Sequence, residues 1–433
     1  MRDEFLALHR NHAWSLVPLS PTQNIIGCKW VYRIKRNPDG SIARYKTRLV
    51  AKGFHQRPGI DFTETFSPVV KPAIIRLVLT IAVTRGWALN QLDVNNAFLQ
   101  GTLSDRVFIQ QPQGFVDSQY PSHVCQLHKA IYGLRQAPRA WYNELRSFLL
   151  GYGFINSKSD TSLFIYTSGT CIMYLLVYVD DILLTGNHNS MLRTFTTRLS
   201  NRFSLKDLGK LNYFLGVETI RTSTGLFLSQ QRYILDLLQR TNMHEAKEVS
   251  IPLSSSETLK LDDGSLRHYP TEYRQVLGSL HYLSLSRPDV SYAVNRLAQF
   301  MHRPTSIHWL AVKRVLRYLK GTSHYGVFIS TASPITLHAF ADADWAGDPD
   351  TRHSTSAYVV FLGSNPISWS SKKQYTIARS STEAEYHAIA AATAKVNWLT
   401  NLIRELAIQL PASPTMTTLE PLTCAPILFS IHV

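Results

Sequence analysis

The segment LLVYVDDILLTG, residues 175–186, places two adjacent aspartates, Asp180 and Asp181, in an otherwise apolar run. Charged side chains are rarely buried without a partner. The flanking runs predict two strands joined by a tight turn, which would hold both carboxylates close together. Like charges at that spacing do not both ionise readily, and a hard divalent cation such as Mg²⁺ relieves the conflict. The alternative is an ordinary turn, because Asp is common in turns.

A third carboxylate strengthens the metal-site interpretation. Asp93 ends WALNQLD, residues 87–93, a segment that predicts a strand. Two magnesium ions about 3.5–4 Å apart are the recurrent solution for in-line phosphoryl transfer, since they clamp the attacking and leaving oxygens. Asp93, Asp180 and Asp181 are therefore the candidate catalytic and metal-binding residues.

Composition and charge indicate the size of the protein and the kind of partner. The chain has 433 residues, 45% of them apolar, which predicts two or three domains with substantial cores. Its 45 Lys and Arg exceed its 30 Asp and Glu by 15, which favours an extended polyanion such as nucleic acid over an ordinary basic surface. Residues 28–52 predict a hairpin with eight cations: Lys29, Arg33, Lys35, Arg36, Arg44, Lys46, Arg48 and Lys52. Lys also protects solvent-exposed sheet edges, so a solvated edge is the alternative.

Several classes of protein are disfavoured. The four cysteines lie far apart without a CxxC pair, which argues against a disulfide framework or a zinc knuckle. The longest apolar run, CIMYLLVYV at 171–179, is far shorter than the ~20 residues of a membrane span. The first ten residues lack the apolar core of a signal peptide. We therefore expect an intracellular protein, in the cytoplasm or the nucleus, that is not secreted and has no membrane partner.

The order of elements predicts an α+β fold. Helices are predicted from Pro72 to Gly86 and over residues 137–153, and three strands joined by turns over residues 161–186. Antiparallel hairpins mixed with helices differ from the repeated βαβ pattern of parallel sheets. A polar, Ser-rich stretch from Ser250 predicts a linker, followed by three helices and then by a second region of strands from Pro334.

Six motifs resemble one family in order. WVYRIKRNPDGSIARYKTRLVAKGFHQRPGIDFTETFSPVVK, LDVNNAFLQG, LHKAIYGLRQAPRAWY and YVDDILLTG resemble the reverse transcriptase of copia-type LTR retrotransposons. LGSLHYLSLSRPDVSYAVNRLAQF and DADWAGD with SSTEAEY resemble the connection and RNase H regions of the same polyprotein. The resemblance implies a right-hand polymerase with fingers and palm at 1–250 and a helical thumb or connection at 251–333. It also implies a truncated RNase H-like α/β domain at 334–410, followed by an aberrant tail at 411–433.

The resemblance assigns roles residue by residue. Asp93 and Asp180 would bind both metals, and Asp181 would assist. Phe98 would be the steric gate whose ring collides with a ribose 2′-OH, although an ordinary core Phe is the alternative. The fingers cations that neutralise the triphosphate would come from Lys46, Arg48 and Lys52, with the contacting residue left open. Gln136 would pack against the templating base pair, with a surface Gln as its alternative.

A second acidic site is predicted near the C-terminus. Glu385 precedes an apolar helical stripe of Ile389, Ala392, Val396, Leu399 and Ile403, so it lies on the core-facing side. A helix-capping acid is the alternative. Asp342 ends a predicted strand and could meet Glu385, and the two match the first acids of an RNase H site.

The second site is predicted to be incomplete. The family continues with a strand carrying CDN, whereas no Asp follows Asp350 here. RNase H activity is therefore expected to be lost, and a late frameshift in a pol fragment would produce such a tail.

The sequence as a whole predicts an RNA-directed DNA polymerase. It would use an RNA template, a DNA primer, deoxynucleoside triphosphates and two Mg²⁺ ions. A non-catalytic nucleic-acid-binding remnant is the main alternative. An RNA-templated RNA polymerase would share the paired aspartates but not a bulky residue at Phe98.

Overall fold

The computed structural model describes residues 1–21, 23–36, 41–254, 258–266, 269–411 and 414–418. The chain divides into two compact units, the first made of Met1–Val70 and Asn90–Gly209 and the second of Lys71–Leu89 and Lys210–Val433. Both units mix helices with sheets, which confirms the predicted α+β class. Over the described ranges, every helix is too short or too polar to cross a membrane.

The ten α-helices are short apart from the last. They are α1 (Arg2–Arg10), α2 (Pro72–Thr84), α3 (Ala97–Gln100), α4 (Ala137–Tyr152), α5 (Asn189–Arg202), α6 (Gln231–Arg240), α7 (Pro270–His281), α8 (Ser291–Ala298), α9 (Ser306–Gly321) and α10 (Ser381–Glu405) in the described part of the chain. The predicted helix boundaries follow local signals. Proline stands in the first turn of α2 and α4, and Gly153 ends α4 in the left-handed conformation.

Twenty strands are present in the described residues. They are β1 (Trp14–Val17), β2 (Ile25–Ile26), β3 (Cys28–Arg36), β4 (Ile42–Ala51), β5 (Ala88–Val94), β6 (Thr102–Ile109), β7 (Val124–Lys129), β8 (Ile155–Asn156), β9 (Leu163–Ser168), β10 (Cys171–Tyr178), β11 (Asp181–Gly186), β12 (Leu205–Lys210), β13 (Tyr213–Phe214), β14 (Val217–Arg221), β15 (Gly225–Ser229), β16 (Gly326–Ser330), β17 (Leu337–Asp344), β18 (Thr355–Leu362), β19 (Asn365–Lys373) and β20 (Thr415–Thr418).

The first unit is built on three sheets. Its centre is a six-stranded sheet in the order β12-β5-β11-β10-β9-β8, which places β5 directly beside β11. A four-stranded sheet has the order β1-β7-β6-β2. The predicted cationic hairpin is β3 paired antiparallel with β4, and its predicted turn at residues 37–40 lies outside the described residues.

The second unit contains two four-stranded sheets and a helical core. Strands β13 to β16 pair in sequence order, and helices α6 to α9 share one apolar core. The other sheet has the order β19-β18-β17-β20, with β20 parallel to β17 and the remaining pairs antiparallel. Small residues let α10 pack closely on this sheet, since Ala388 and Ala392 contact Ala341 of β17.

The units differ from the predicted domain boundaries in two places. Helix α2 and residues 210–250 belong to the second unit, although sequence patterns placed both in the N-terminal region. Helix α2 is apolar on nearly all faces, so its burial has no preferred direction that periodicity could reveal. The tail predicted from residue 411 also contributes a strand, because the Thr-rich β20 has high strand propensity and pairs with β17.

Candidate active site

The paired aspartates lie at a strained two-residue turn. Val179 and Asp180 join β10 to β11, and Tyr178 pairs with Asp181 across the turn. Val179 has φ 54°, a conformation that is costly for a β-branched residue. The buried indole of Trp141, 1% exposed, donates a hydrogen bond of 2.7 Å to the Val179 carbonyl. Trp141 on α4 therefore holds the turn that presents Asp180.

The third acid lies beside this turn. The backbone N–H of Val94, next to Asp93, donates to the Asp180 carbonyl at 2.9 Å and joins β5 to the turn. Asp93 and Asp180 both line one cavity of about 410 Å³. The expectation that Asp93 lies at the Asp180–Asp181 turn therefore agrees with the structure.

Burial and neighbouring carboxylates perturb the carboxyl groups of Asp93 and Asp181. Burial and then the neighbouring Asp180 raise the pKa of Asp93. Burial, Asp180 and Asp93 together raise the pKa of Asp181 to about 6, although a hydrogen bond from Gln91 opposes the rise. Burial and the neighbouring carboxylates thus oppose ionisation of Asp93 and Asp181, and this is the arrangement that a cation stabilises.

The donor set suits a hard cation, although the described residues contain no ready-made group of three or more Asp, Glu, His or Cys side chains at metal-site spacing. Carboxylate oxygens are the ligands that Mg²⁺ prefers. Asp93 and Asp180 face the cavity, whereas Asp181 does not line it and accepts its hydrogen bond from Gln91. The three-acid metal site remains a prediction, and the structure brings two of its members into one cavity.

Two of the three predicted fingers cations reach this cavity. Lys46 and Arg48 of β4 line it, and both lower the pKa of Asp93. The Arg48 guanidinium lies 3.8 Å from the centre of the Tyr132 ring. Lys52 does not line the cavity and instead lies beside Gly27 and Cys28. Position along the chain separates them, because Lys46 and Arg48 lie within β4, on one face of it, and Lys52 follows the strand's last residue.

Phe98 lies on the short helix α3, which follows Asp93 in the sequence. Its ring on α3 packs edge-on against Tyr132, with 4.7 Å between ring centres. The neighbouring Asn95 and Asn96 line the cavity, whereas Phe98 does not. The steric-gate assignment is therefore still a prediction.

Gln136 is buried and bonded within the protein. It is 3% exposed, so the surface-glutamine alternative is wrong. Its side chain accepts a hydrogen bond from Gln56 and donates one to the Asp61 carbonyl. These bonds fix the loop that precedes α2, and packing against a templating base pair remains a prediction.

Sequence reasoning missed other residues of this cavity. Asp3 and Glu4 of α1 line it, and burial raises the pKa of Glu4 while Arg48 and Lys46 oppose the rise. No local pattern in residues 1–10 points to this role, since the contact comes from folding of α1 against β4. Trp141 was assigned to the core, which is confirmed, but its bond to the turn was not anticipated.

A second acidic pair lies in the second unit. Glu385 on α10 accepts a hydrogen bond from the backbone N–H of Ala343, and burial and then Asp342 raise its pKa. Its Oε2 atom is buried and has no hydrogen-bond partner among the described residues. Ser380 caps α10 by accepting from the Glu383 N–H, which argues against the capping alternative for Glu385. The predicted meeting of Asp342 and Glu385 therefore agrees with the structure.

The raised pKa of Asp181 predicts a pH-dependent stability difference. Its carboxyl group has a folded pKa of about 6 against 3.8 unperturbed, so ionisation destabilises the metal-free fold as pH rises through this window. We expect Asp181→Asn to gain stability relative to the wild type between pH 4 and pH 7, and Mg²⁺ to diminish the gain. Urea midpoints at pH 4 and pH 7 with EDTA measure it. A difference that is the same at both pH values would contradict the electrostatic interpretation.

Comparison with known proteins shows the family. Residues 11–255 match the family model described as reverse transcriptase (RNA-dependent DNA polymerase). The chain is 56% identical over 417 residues to the retrovirus-related Pol polyprotein from transposon RE1 of Arabidopsis thaliana, covering 96% of the chain and 28% of that relative. It is 39% identical over 420 residues to the corresponding polyprotein from transposon TNT 1-94 of Nicotiana tabacum, covering 94% of the chain and 31% of that relative.

The chain thus spans less than a third of these polyproteins. The family match extends over more than half of the chain and includes Asp93, Asp180 and Asp181, and the predicted resemblance is confirmed. The chain belongs to the reverse transcriptase (RNA-dependent DNA polymerase) family, in the form found in copia-type transposon Pol polyproteins.

Proposed function

We propose that this chain itself catalyses RNA-directed DNA synthesis, extending a DNA primer on an RNA template with deoxynucleoside triphosphates. One observation carries the proposal. Asp93 and Asp180, from two different parts of the chain, share a cavity with Lys46 and Arg48. Acids on one side and cations on the other suit a reaction that transfers a nucleotide from a polyanionic triphosphate.

Each group has a distinct task in this proposal. Asp93 and Asp180, assisted by Asp181, would hold Mg²⁺, which when bound lowers the pKa of the primer hydroxyl and neutralises charge on the leaving pyrophosphate. Lys46 and Arg48 would bind the phosphates of the incoming nucleotide. Trp141 would keep the turn in place so that Asp180 stays oriented throughout the reaction.

Two further residues would contact the nucleotide and the templating base pair. Phe98 would exclude the ribose 2′-OH, with Tyr132 supporting its ring from the side. Gln136 would act by fixing the loop around Asp61 against α4, close to where a base pair would be placed.

The architectural roles follow from the sheets. The six-stranded sheet that carries the acids would be the palm, the β3–β4 hairpin would belong to the fingers, and α6 to α9 would form the thumb or connection. A β19-β18-β17-β20 order with β20 parallel to β17 supports an RNase H-like sheet.

A primer-extension assay tests the proposed polymerase activity. The purified chain is incubated with oligo(dT) annealed to poly(rA), Mg²⁺ and either dTTP or UTP. Extension with dTTP, its loss in EDTA and poor use of UTP are expected. Binding of the primer–template without extension would instead favour a non-catalytic remnant.

We further propose that the RNase H-like region no longer cleaves RNA. Asp342 and Glu385 are the two predicted acids of this site, and the described strand β20, Thr415–Thr418, supplies no further carboxylate beside β17. Two carboxylates hold paired metal ions poorly, because each leaves more positive charge uncompensated.

No measurable cleavage of an RNA–DNA hybrid is therefore expected in Mg²⁺ from protein that extends primers. Labelled RNA resolved on a denaturing gel measures it, and Glu385→Gln is the matched control for contaminating nuclease. Cleavage that disappears in Glu385→Gln would contradict the expectation, whereas cleavage that persists belongs to a contaminant.

A further inference from the structure

A second cavity, of about 320 Å³, lies within the second unit at the start of α2. Its wall also includes residues of α7, α8, β18, β19 and α10. Among the described residues that line it, none is Asp or Glu, whereas five are Lys or Arg: Lys71, Arg76, Arg287, Lys372 and Lys395. The described lining of the cavity therefore carries an excess of cationic side chains.

Arg76 is a buried cation with neutral partners. It is 3% exposed, and it donates to the carbonyls of Ile367 at 2.9 Å and Leu285 at 3.0 Å. Its guanidinium carbon lies 3.6 Å from the centre of the Trp369 ring. Burial lowers its pKa to about 9, with Tyr358 opposing. Carbonyls and a ring compensate a buried charge only in part, so an anion in the adjoining cavity would stabilise it.

The other buried arginine of the wall differs from Arg76 because it has a carboxylate partner. Arg287 forms an ion pair with Asp289 at 2.7 Å, and its side chain is fully buried. Its charge is thus already neutralised within the protein. Arg76 has no equivalent carboxylate partner among the described residues, and its hydrogen bonds go to backbone carbonyls instead.

Other groups of the wall add hydrogen-bond donors. The Ser371 Oγ atom is buried and has no hydrogen-bond partner in the described part of the chain. The first turn of α2 lacks a side-chain cap at Lys71, and its dipole favours an anion. Pro72 has no N–H, and the N–H groups of Ile74 and Ile75 donate to the Lys71 carbonyl, so the backbone donor at the wall is the Ala73 N–H. Lys395 lies 3.8 Å over the Trp398 ring, which restricts its ammonium group beside the cavity.

We propose that this cavity binds a phosphate group, carried by a nucleic-acid strand or by a free polyphosphate. The oxygens of a phosphate group accept several charge-assisted hydrogen bonds at once, which matches a wall of Arg, Lys and Ser side chains beside the start of a helix. The site lies in a different unit from the polymerase acids and does not depend on nucleotidyl transfer.

The test compares two lysines that both lie over tryptophan rings. Lys395 lines the cavity, whereas Lys313 lies 5.8 Å from the Trp309 ring on α9 and is not part of the wall. Binding of tripolyphosphate and of a 12-nucleotide oligo(dT) is measured by calorimetry in EDTA at low salt. Lys395→Gln is expected to weaken at least one of them by about fivefold or more, and Lys313→Gln by less than about twofold. Lys395→Arg should retain most of the affinity because it keeps the charge.

The two probes distinguish the sources of the phosphate. A selective loss for the oligonucleotide alone assigns the site to a strand phosphate, and a loss that includes tripolyphosphate assigns it to free polyphosphate. Equal effects of Lys395→Gln and Lys313→Gln on both probes, or no effect of either, would overturn the proposal. Primer extension by Lys395→Gln at saturating primer–template is expected to equal the wild type, which separates this test from that of the polymerase.

Discussion

Replacing Asp93 or Asp180 with asparagine is expected to reduce primer extension by about 10³-fold or more, because metal-dependent transfer loses a ligand and its charge. These two acids face the same cavity, and the backbone bond from Val94 to Asp180 holds their strands together. Asparagine keeps the size of the side chain. The loss should therefore be one of chemistry and not of folding.

Stability measurements separate these two explanations. Burial and then repulsion from Asp180 raise the pKa of Asp93, so removing either charge should leave the metal-free protein as stable as the wild type or more stable. Asp207→Asn is the matched control, since Asp207 is an exposed acid of the same sheet whose carboxylate accepts from the Gly209 N–H. Extension by Asp180→Asn within about tenfold of the wild type would refute the assignment of this acid.

The second large effect is expected on stability, from Gly133→Ala. Gly133 has φ 90°, and a Cβ atom there would lie 2.1 Å from the Ala51 carbonyl oxygen and 2.7 Å from the Val50 side chain. The Ala51 N–H donates to the Tyr132 carbonyl at 2.8 Å, so the backbone of residues 132–133 packs directly against the end of β4. Left-handed strain and steric overlap together should lower the free energy of unfolding by about 3 kcal/mol or more.

The difference between Gly133→Ala and Gly114→Ala isolates the steric part of that effect. Gly114 has φ 83°, but a Cβ there would meet nothing within 4 Å, so only backbone strain of about 1–2 kcal/mol is expected. Urea unfolding followed by tryptophan fluorescence compares the two variants. Because Tyr132 supports Arg48, Gly133→Ala should also weaken nucleotide use at temperatures where it is folded. Equal destabilisation by both substitutions would contradict the close approach of residues 132–133 to β4.

Elements that depend on residues close in sequence were predicted, and features that depend on residues far apart in sequence were not. The turn at Asp180, the strand that carries Asp93 and the helix from Pro72 depend on neighbours within about ten residues, and all were predicted. The unit to which α2 belongs was not, because Arg76 bonds to residues more than 200 positions away. The pairing of β20 with β17 was missed for the same reason.

The sequence by itself determined the acids, the family and the α+β class, because contiguous motifs and strand–turn patterns encode them locally. Only the tertiary structure decided that Lys46 and Arg48 reach the acids while Lys52 does not, and that Trp141 restrains the turn. It alone revealed the cavity around Arg76, whose described lining residues include no Asp or Glu. These features arise where distant strands and helices pack together, and no local pattern specifies the position of a side chain across such a contact.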